Sequence, residues 1–360
     1  MASLPSLLVR TVAQSNGAAS IPDMKLSSII AFSLTIACLL LAPLASFAQS
    51  LSPSSPEEDI TSLSLAASHL RPDPPELVEK DEEPDYTSEW ITVRWRADDP
   101  IYLYVVRPAR IQKPPVVIYL YDYPAETDIF RDDDWCRRVT SGGYAAVGFV
   151  PALNGHRFHD RALKEWFVSE LQESLAKSAH DVQMVLNYLD ERGDIDMAHV
   201  GIFGVGSGAT IAIAAPSADS RIKAIDVVDP WGNWPVWMSQ SQVVPTDERP
   251  NYVKPEFLKR ISAFDPVVLL PRLATPHIRL NQSSRGSSTP KEAGASIKAA
   301  LPAAAEHNAF TDRAQFDPTI ESGGTGFDWI KQQLKPAETN LRSKMIRGET
   351  SGDQPGAQQQ

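Results

Sequence analysis

Cysteine is scarce in this sequence, and its scarcity excludes a fold held together by disulfides. The 360 residues include two cysteines, Cys38 and Cys136. Cys38 lies in an apolar N-terminal segment, so the rest of the chain has a single thiol and cannot form an internal disulfide. The folded part must therefore be stabilised by its hydrophobic core, which a composition with 42% hydrophobic residues can supply.

Basic tracts and phosphate-binding motifs are also lacking. Asp and Glu number 45 against 34 Lys and Arg, which gives a formal net charge of -11 and argues against nucleic acid as a partner. The glycine-rich motifs of phosphate-cradling loops and dinucleotide-binding folds are missing, so no cofactor is predicted. The sequence pattern that most resembles a set of metal ligands consists of His156, His159 and Asp160. They follow a predicted strand, where polar residues often line a pocket rim, and no metal is predicted.

An apolar, uncharged segment lies near the N-terminus of the sequence. Residues 26–48 contain no charged residue and end in Ser46-Phe47-Ala48, a small-x-small sequence. This pattern predicts a secretory signal peptide cleaved before Gln49, and hence a periplasmic or extracellular protein. The alternative is an uncleaved anchor, because an apolar stretch of about 20 residues can span a bilayer. Contact with a membrane would then be limited to this segment.

Composition divides the remainder of the chain into three parts. Residues 49–87 are rich in Pro, Ser, Asp and Glu. Such a composition buries too little apolar surface to offset the entropy of ordering, so it predicts a flexible acidic linker. Residues 88–335 carry strand and helix patterns and are predicted to form one domain. Residues 336–360 are polar and end in glutamines, which predicts a disordered tail.

Short apolar runs alternate with amphipathic segments within the predicted domain. Residues 116–121, 145–150 and 222–228 have the length and β-branched content of buried strands. Residues 163–189 have the pattern of a long amphipathic helix. This alternation predicts an α/β fold with a mostly parallel central sheet and helices on both of its faces.

The most informative stretch runs from His199 to Pro216. A strand-like apolar run leads into glycines at positions 204, 206 and 208, and a small, apolar, helix-compatible run follows. Strand, glycine-rich bend and helix form the context of a nucleophile elbow, in which G-x-S-x-G presents a serine above the sheet. Here the central position is Gly206, and the nearest hydroxyl, that of Ser207, comes one residue later.

On this stretch and on the order of elements around it, residues 88–335 resemble the α/β-hydrolase superfamily, in particular its dienelactone-hydrolase-like and prolyl-oligopeptidase-like serine esterases. The resemblance implies a Ser-His-acid triad that acts on ester or amide bonds. It also implies an oxyanion hole that receives a backbone N–H from the chain after residues 116–121. At that place the family carries His-Gly, and this sequence has Asp122-Tyr123. We predict that Asp122 and Tyr123 lie at the substrate site.

The triad that the resemblance implies is incomplete in this sequence. In the family the histidine lies in the loop before the closing helix, where this chain has His307. The turn that commonly provides the acid, residues 281–288, has no carboxylate, and Asp229 is the alternative acid. Gly206 has no side chain that can attack. One residue in a helical turn corresponds to roughly 100° of rotation, so the Ser207 hydroxyl is predicted to point away from the oxyanion hole.

Two tryptophans are further candidates for the site. Trp231 and Trp234 follow the carboxyl end of a predicted strand, where α/β folds bind ligands, and they are predicted to line an aromatic substrate pocket. A packed wall of the same residues is the alternative interpretation.

These observations support two hypotheses. The first is an exported protein with an α/β-hydrolase fold and a degenerate triad, of which His307 and Asp229 remain. It binds a small ester-like molecule or a partner without turnover. The alternative is an active serine esterase or peptidase in which Ser207 is the nucleophile, His307 the base and Asp229 the acid.

Overall fold

The computed structural model of this chain describes residues 58–96, 99–123, 128–152, 157, 170–312 and 327–335. The predicted signal segment, the predicted tail, and His156, His159 and Asp160 lie outside the described residues. No helix in the described ranges is long and apolar enough to cross a bilayer.

A mixed sheet runs through the described part of the chain. Its strands are β1 Glu76–Glu82, β2 Tyr86–Val93, β3 Ile101–Pro108, β4 Val116–Leu120, β5 Ala145–Gly148, β6 Val200–Val205, β7 Ile222–Val228, β8 His277–Ser283 and β9 Glu306–Phe310. Their order across the sheet is β1-β2-β3-β5-β4-β6-β7-β8-β9. The pairs from β1 to β3 and the β3–β5 pair are antiparallel, and every pair from β5 through β9 is parallel.

Helices cover the sheet. They are α1 Asp133–Thr140, α2 Leu171–Arg192, α3 Ser207–Ala214, α4 Trp234–Gln240, α5 Arg249–Tyr252, α6 Pro255–Ile261, α7 Pro266–Leu269, α8 Lys291–Ala299 and α9 Asp328–Gln333. Short 3-10 turns lie at Leu65–Ala67, Asp128–Arg131, Ala215–Ser217, Ser262–Phe264 and Leu270–Arg272. The predicted helix over residues 163–189 is described from Leu171 onward. It continues to Arg192, where Gly193 ends it with a φ of 70°.

The central strands are buried on both faces. Every residue of β4 and of β6 is buried, as expected for parallel strands covered on two sides. One apolar cluster packs the inner face of α2 and α3 against the sheet, and a second packs α1 and α9 against the opposite face. The predicted α/β class with a mostly parallel sheet is therefore confirmed.

The predicted flexible linker is wrong for residues 58–87. Residues 76–82 form β1, which is exposed along its whole length but pairs with β2 in antiparallel register. Leu63 is buried in the core. The Glu58 carboxylate accepts hydrogen bonds from Arg96 at 2.5 Å and lies 2.7 Å from Nδ1 of His180. Backbone pairing and buried ion pairs stabilise a segment whose composition alone favours disorder.

Burial of Glu58 would by itself raise the pKa of its carboxyl. The hydrogen bonds and charges of Arg96 and His180 outweigh that effect and lower the pKa to about 2. One of the acidic residues on which the linker prediction rested, Glu58, therefore forms an internal ion pair. Its contact with His180 joins the start of the domain to α2.

Candidate functional site

The topology of the sheet indicates where a ligand site lies. From β4 the chain crosses to β5 on one side, and from β6 it crosses to β7 on the other side. The adjacent strands β4 and β6 thus form a topological switch point, and α/β sheets bind ligands outside the carboxyl ends of the strands at such a point. The residues that follow these ends are Asp122 and Tyr123 after β4, and Gly206 and Ser207 after β6.

The bend after β6 has the strained backbone of an elbow. Gly206 has φ 55° and ψ -115°, a conformation that residues with side chains rarely adopt, and it directly precedes the first turn of α3. Its N–H donates to the carbonyl of Val228 at 2.9 Å. At Gly208 a Cβ would lie 2.3 Å from the carbonyl oxygen of Leu120, so glycine is required for α3 to pack this closely on β4.

A carboxylate lies where the side chain of an elbow nucleophile would project. A Cβ placed on Gly206 would be 2.0 Å from Cγ and from Oδ1 of Asp122. Oδ1 of Asp122 accepts the backbone N–H of Ser207 at 2.8 Å. In a nucleophile elbow, the N–H of the residue after the nucleophile serves the oxyanion hole. In this protein that donor is engaged by Asp122.

The second implied donor is engaged as well. Ser207 is fully buried, and its Oγ accepts the backbone N–H of Tyr123 at 2.9 Å. The prediction that the Ser207 hydroxyl points away from the oxyanion hole is therefore wrong, because the hydroxyl contacts the loop for which the resemblance implies that role. The structure brings Asp122, Tyr123 and Ser207 together through two hydrogen bonds beside Gly206.

Asp229 lies at the end of β7 and has a left-handed backbone with φ 46°. Its Oδ1 accepts the N–H of Ser283 at 2.9 Å, and its Oδ2 accepts the Ser283 hydroxyl at 2.5 Å. These bonds join the carboxyl ends of β7 and β8. Within the described residues they give Asp229 a bracing role between two strands.

His307 does not lie in a loop, and that prediction is wrong. It belongs to β9, where it is level with Leu280 of β8, and its Nε2 lies 3.1 Å from Oε1 of Gln282. Burial, with a smaller contribution from the charge of Lys298, lowers the pKa of His307. The sequence between β9 and α9 contains no histidine.

The three residues predicted for a triad, Ser207, His307 and Asp229, lie on different strands or just after them, and His307 is far across the sheet from Ser207. The cross-strand register runs from Gly204 on β6 through Val227 and Leu280 to His307 on β9. Three strand spacings of about 4.8 Å place His307 roughly 14 Å from the level of β6. Among the described residues, Ser207, His307 and Asp229 therefore do not form a triad.

The tryptophans form a packed wall. Trp231, Trp234 and Trp237 are all at most 1% exposed, and Trp237 contacts the other two with ring centroids 4.6 and 6.0 Å away. Nε1 of Trp231 donates to the hydroxyl of Ser288 at 2.8 Å. The prediction of a substrate pocket lined by Trp231 is wrong. Trp234 borders a surface cavity of about 490 Å³, which lies among the helices α4, α6, α7 and α8.

The sequence predicts Asp122 at the substrate site, but it does not indicate that the Asp122 carboxylate accepts the N–H of Ser207 beside Gly206. The signal was a combination of two substitutions. The elbow has glycine where a side chain is usual, and the facing loop has Asp122-Tyr123 where His-Gly is usual. Each substitution alone is ambiguous, because only the pairing of β4 with β6 shows that the added and the missing side chains share one space.

Comparisons with known proteins relate this fold to solved structures. No protein-family model and no curated protein matches the chain. Solved structures do match. An acetyl xylan esterase from Paenibacillus sp. R4 has 15% identity and a TM-score of 0.53, with 70% of this chain and 89% of that chain covered. Acetyl xylan esterase 1 from Thermoanaerobacterium sp. JW/SL YS485 has 12% identity and a TM-score of 0.53, with 76% and 87% covered.

An S-formylglutathione hydrolase from Agrobacterium tumefaciens has 13% identity and a TM-score of 0.52, with 72% of this chain and 99% of that chain covered. At these identities the likeness concerns the fold alone.

Proposed function

We propose that this chain, which has the α/β-hydrolase fold, binds a small ester-like molecule in the crevice between β4 and β6 without forming an acyl-enzyme. One observation carries the proposal. The Asp122 carboxylate lies within 2.0 Å of the place where a side chain on Gly206 would begin, and it accepts the N–H of Ser207. The position expected for a nucleophile side chain is thus filled by a carboxylate from the loop after β4.

Acyl transfer requires a nucleophile, a base within hydrogen-bond reach of it, and N–H donors that can stabilise an oxyanion. Gly206 offers no attacking atom, and His307 is three strands away in the sheet order. A carboxylate on the N–H of Ser207 also places negative charge where an oxyanion would develop. No observation on the described residues favours the alternative, an active serine esterase or peptidase that uses Ser207.

The choice of an ester-like ligand rests on the crevice and on the comparisons. Two similar structures are acetyl xylan esterases by name, and α/β folds bind ligands at the carboxyl edge of the sheet. We propose an exported location on the strength of residues 26–48. N-terminal sequencing of secreted material should begin at Gln49, whereas an intact N-terminus in the membrane fraction would indicate an anchor.

The decisive experiment compares the parent with Ser207→Ala. Both proteins are incubated with p-nitrophenyl acetate and with a fluorophosphonate probe. We expect no difference between them in hydrolysis or labelling, because Ser207 is buried and bonded to Tyr123. Hydrolysis or labelling that disappears in Ser207→Ala would overturn the proposal in favour of a working serine hydrolase.

Binding is tested with an amide analogue of an acetyl ester, observed by ligand NMR. The matched variant is Asp122→Asn, which keeps the shape of the side chain and removes its charge. A changed hydrogen bond to a charged group is worth about 1.5–3 kcal/mol, so the affinity should change by about tenfold or more. Equal affinity in the two proteins would show that the ligand, if bound, is elsewhere than at Asp122.

A further inference from the structure

A concave surface lies on the antiparallel side of the sheet, away from the carboxyl ends of β4 and β6. Strand pairing places Glu79 of β1 opposite Trp90 of β2, and Trp90 opposite Tyr104 of β3. Residues paired in this way point to the same face of a sheet. The turn Asp128–Arg131 and helix α1 form the facing wall, and they enclose a cavity of about 290 Å³, which we call the Trp90 groove.

The floor of the Trp90 groove is aromatic and held in place. Trp90 stacks on Tyr104 with ring centroids 5.9 Å apart and planes 14° apart. The edge of Tyr102 meets Trp90 at 5.7 Å. Stacking of this kind fixes the indole ring, so it offers a preformed surface for a group that approaches from the groove.

The guanidinium of Arg131 already lies over the ring of Trp90. The guanidinium carbon of Arg131 lies 5.0 Å from the centroid of the Trp90 ring, and Nη2 of Arg131 lies 2.9 Å from Oε2 of Glu79. An aromatic face beside a carboxylate is an arrangement that recognises organic cations. The Arg131 side chain is 51% exposed, so an external cation can compete with it.

The rim of the groove has an excess of negative charge. Carboxylates line the groove at Glu79, Asp81, Glu83, Glu89 and Asp133, where Arg131 is the one cationic side chain among the described lining residues. Outside the lining, Arg192 pairs with Glu89 and Arg137 pairs with Asp133. Asp81 and Glu83 form no ion pair with any described residue. An added cation would therefore meet carboxylates that the chain itself leaves uncompensated.

We propose that the Trp90 groove is a binding site for a small organic cation with an alkylammonium or guanidinium group. The aromatic floor accepts the apolar substituents of such a cation, and the rim of carboxylates attracts its charge. A bare metal ion would not use the ring stack, and a neutral molecule would not use the charge. The site is independent of the function proposed for the β4–β6 crevice.

The test titrates the full chain with choline and with its neutral isostere 3,3-dimethyl-1-butanol, followed by calorimetry. We expect choline to bind about tenfold or more tightly than the isostere, the range that a desolvated cation–π contact supplies. Arg131→Ala should strengthen choline binding several-fold because it frees the ring of Trp90. Trp90→Leu should abolish the preference for choline.

The chain offers a matched control in Trp329, which has the guanidinium of Arg279 at 4.7 Å from its ring centroid and does not line the groove. Trp329→Leu should leave choline binding unchanged. If Trp90→Leu does not fold, Asp81→Asn with Glu83→Gln provides the second test and should weaken choline binding. Equal binding of choline and its isostere, or no binding of choline to the parent and to Arg131→Ala, would overturn the proposal.

Discussion

Two regions at the carboxyl edge of the sheet differ in which part of the predicted site they have. The bend between β6 and α3 has the backbone of an elbow, with φ 55° and ψ -115° at Gly206, but no side chain at its centre. The region from β7 to β9 has two of the side chains predicted for a triad, Asp229 and His307. Asp229 is bonded to Ser283, and His307 lies within a strand.

The difference shows that the shape of a site and its chemistry have separate physical origins. The elbow is fixed by close packing of α3 on β4, where Gly208 lies against the carbonyl of Leu120. That packing belongs to the core and needs no reactive group. A triad requires side chains from three loops to converge, and His307, which lies within β9, is roughly 14 Å from the level of β6. An elbow is therefore weak evidence for catalysis unless a base lies beside it.

The largest effect is expected where the core supports the elbow. Phe203 is fully buried on β6 and contacts Tyr119 and Phe327, with ring centroids 5.7 and 5.3 Å away. Phe203→Ala should lower the free energy of unfolding by about 3–5 kcal/mol, measured by denaturant melts. The control is Leu77→Ala at a position that is 55% exposed, and it should cost about 0.5 kcal/mol or less. Similar small losses in both variants would show that the elbow does not depend on this core.

An intermediate effect is expected if the missing side chain is restored to the elbow. Gly206→Ser places a Cβ 2.0 Å from the Asp122 carboxyl on a backbone with φ 55°. It should destabilise the protein by about 1–3 kcal/mol. Adding Asp122→Ala should recover part of this loss, because it removes the overlap but not the backbone strain.

The same pair of variants tests the region from β7 to β9. Neither variant should react with a fluorophosphonate faster than the parent. His307 lies on β9, three strands from β6, and its side chain contacts Gln282 of β8. Rapid labelling of the double variant would mean that a base lies close to the elbow. It would contradict the conclusion that the elbow and His307 are too far apart to act together.

The smallest effect concerns the pH dependence of stability. Burial and Lys298 lower the pKa of His307 below its ordinary value of 6.5. The unfolded chain therefore binds this proton more readily, so the contribution of His307 to stability falls as the pH drops below about 6.5. The stability difference between the parent and His307→Gln should shift against the parent between pH 7.5 and 5. A triad histidine beside a carboxylate would have a raised pKa and would give a shift of the opposite sign.

Much of the architecture could be predicted from local patterns. Residues 222–228 were predicted as a strand and form β7, and the bend with three glycines was predicted between a strand and a helix and lies between β6 and α3. Buried parallel strands are recognisable because both of their faces are apolar. Exposed strands are not. β1 is exposed throughout and β9 contains Glu306, His307 and Asn308, so composition alone favoured a linker and a loop.

By itself the sequence determined that this protein has an α/β fold, that glycine lies at the centre of the bend between β6 and α3, and that residues 281–288 contain no carboxylate. Each of these facts depends on residue types and on their spacing along one segment. Only the tertiary structure decided that Asp122 fills the space above Gly206, that Asp229 braces Ser283, and that His307 is remote from both. These relations join residues that are at least 54 positions apart, and the register of the sheet, which no local pattern specifies, sets their distances.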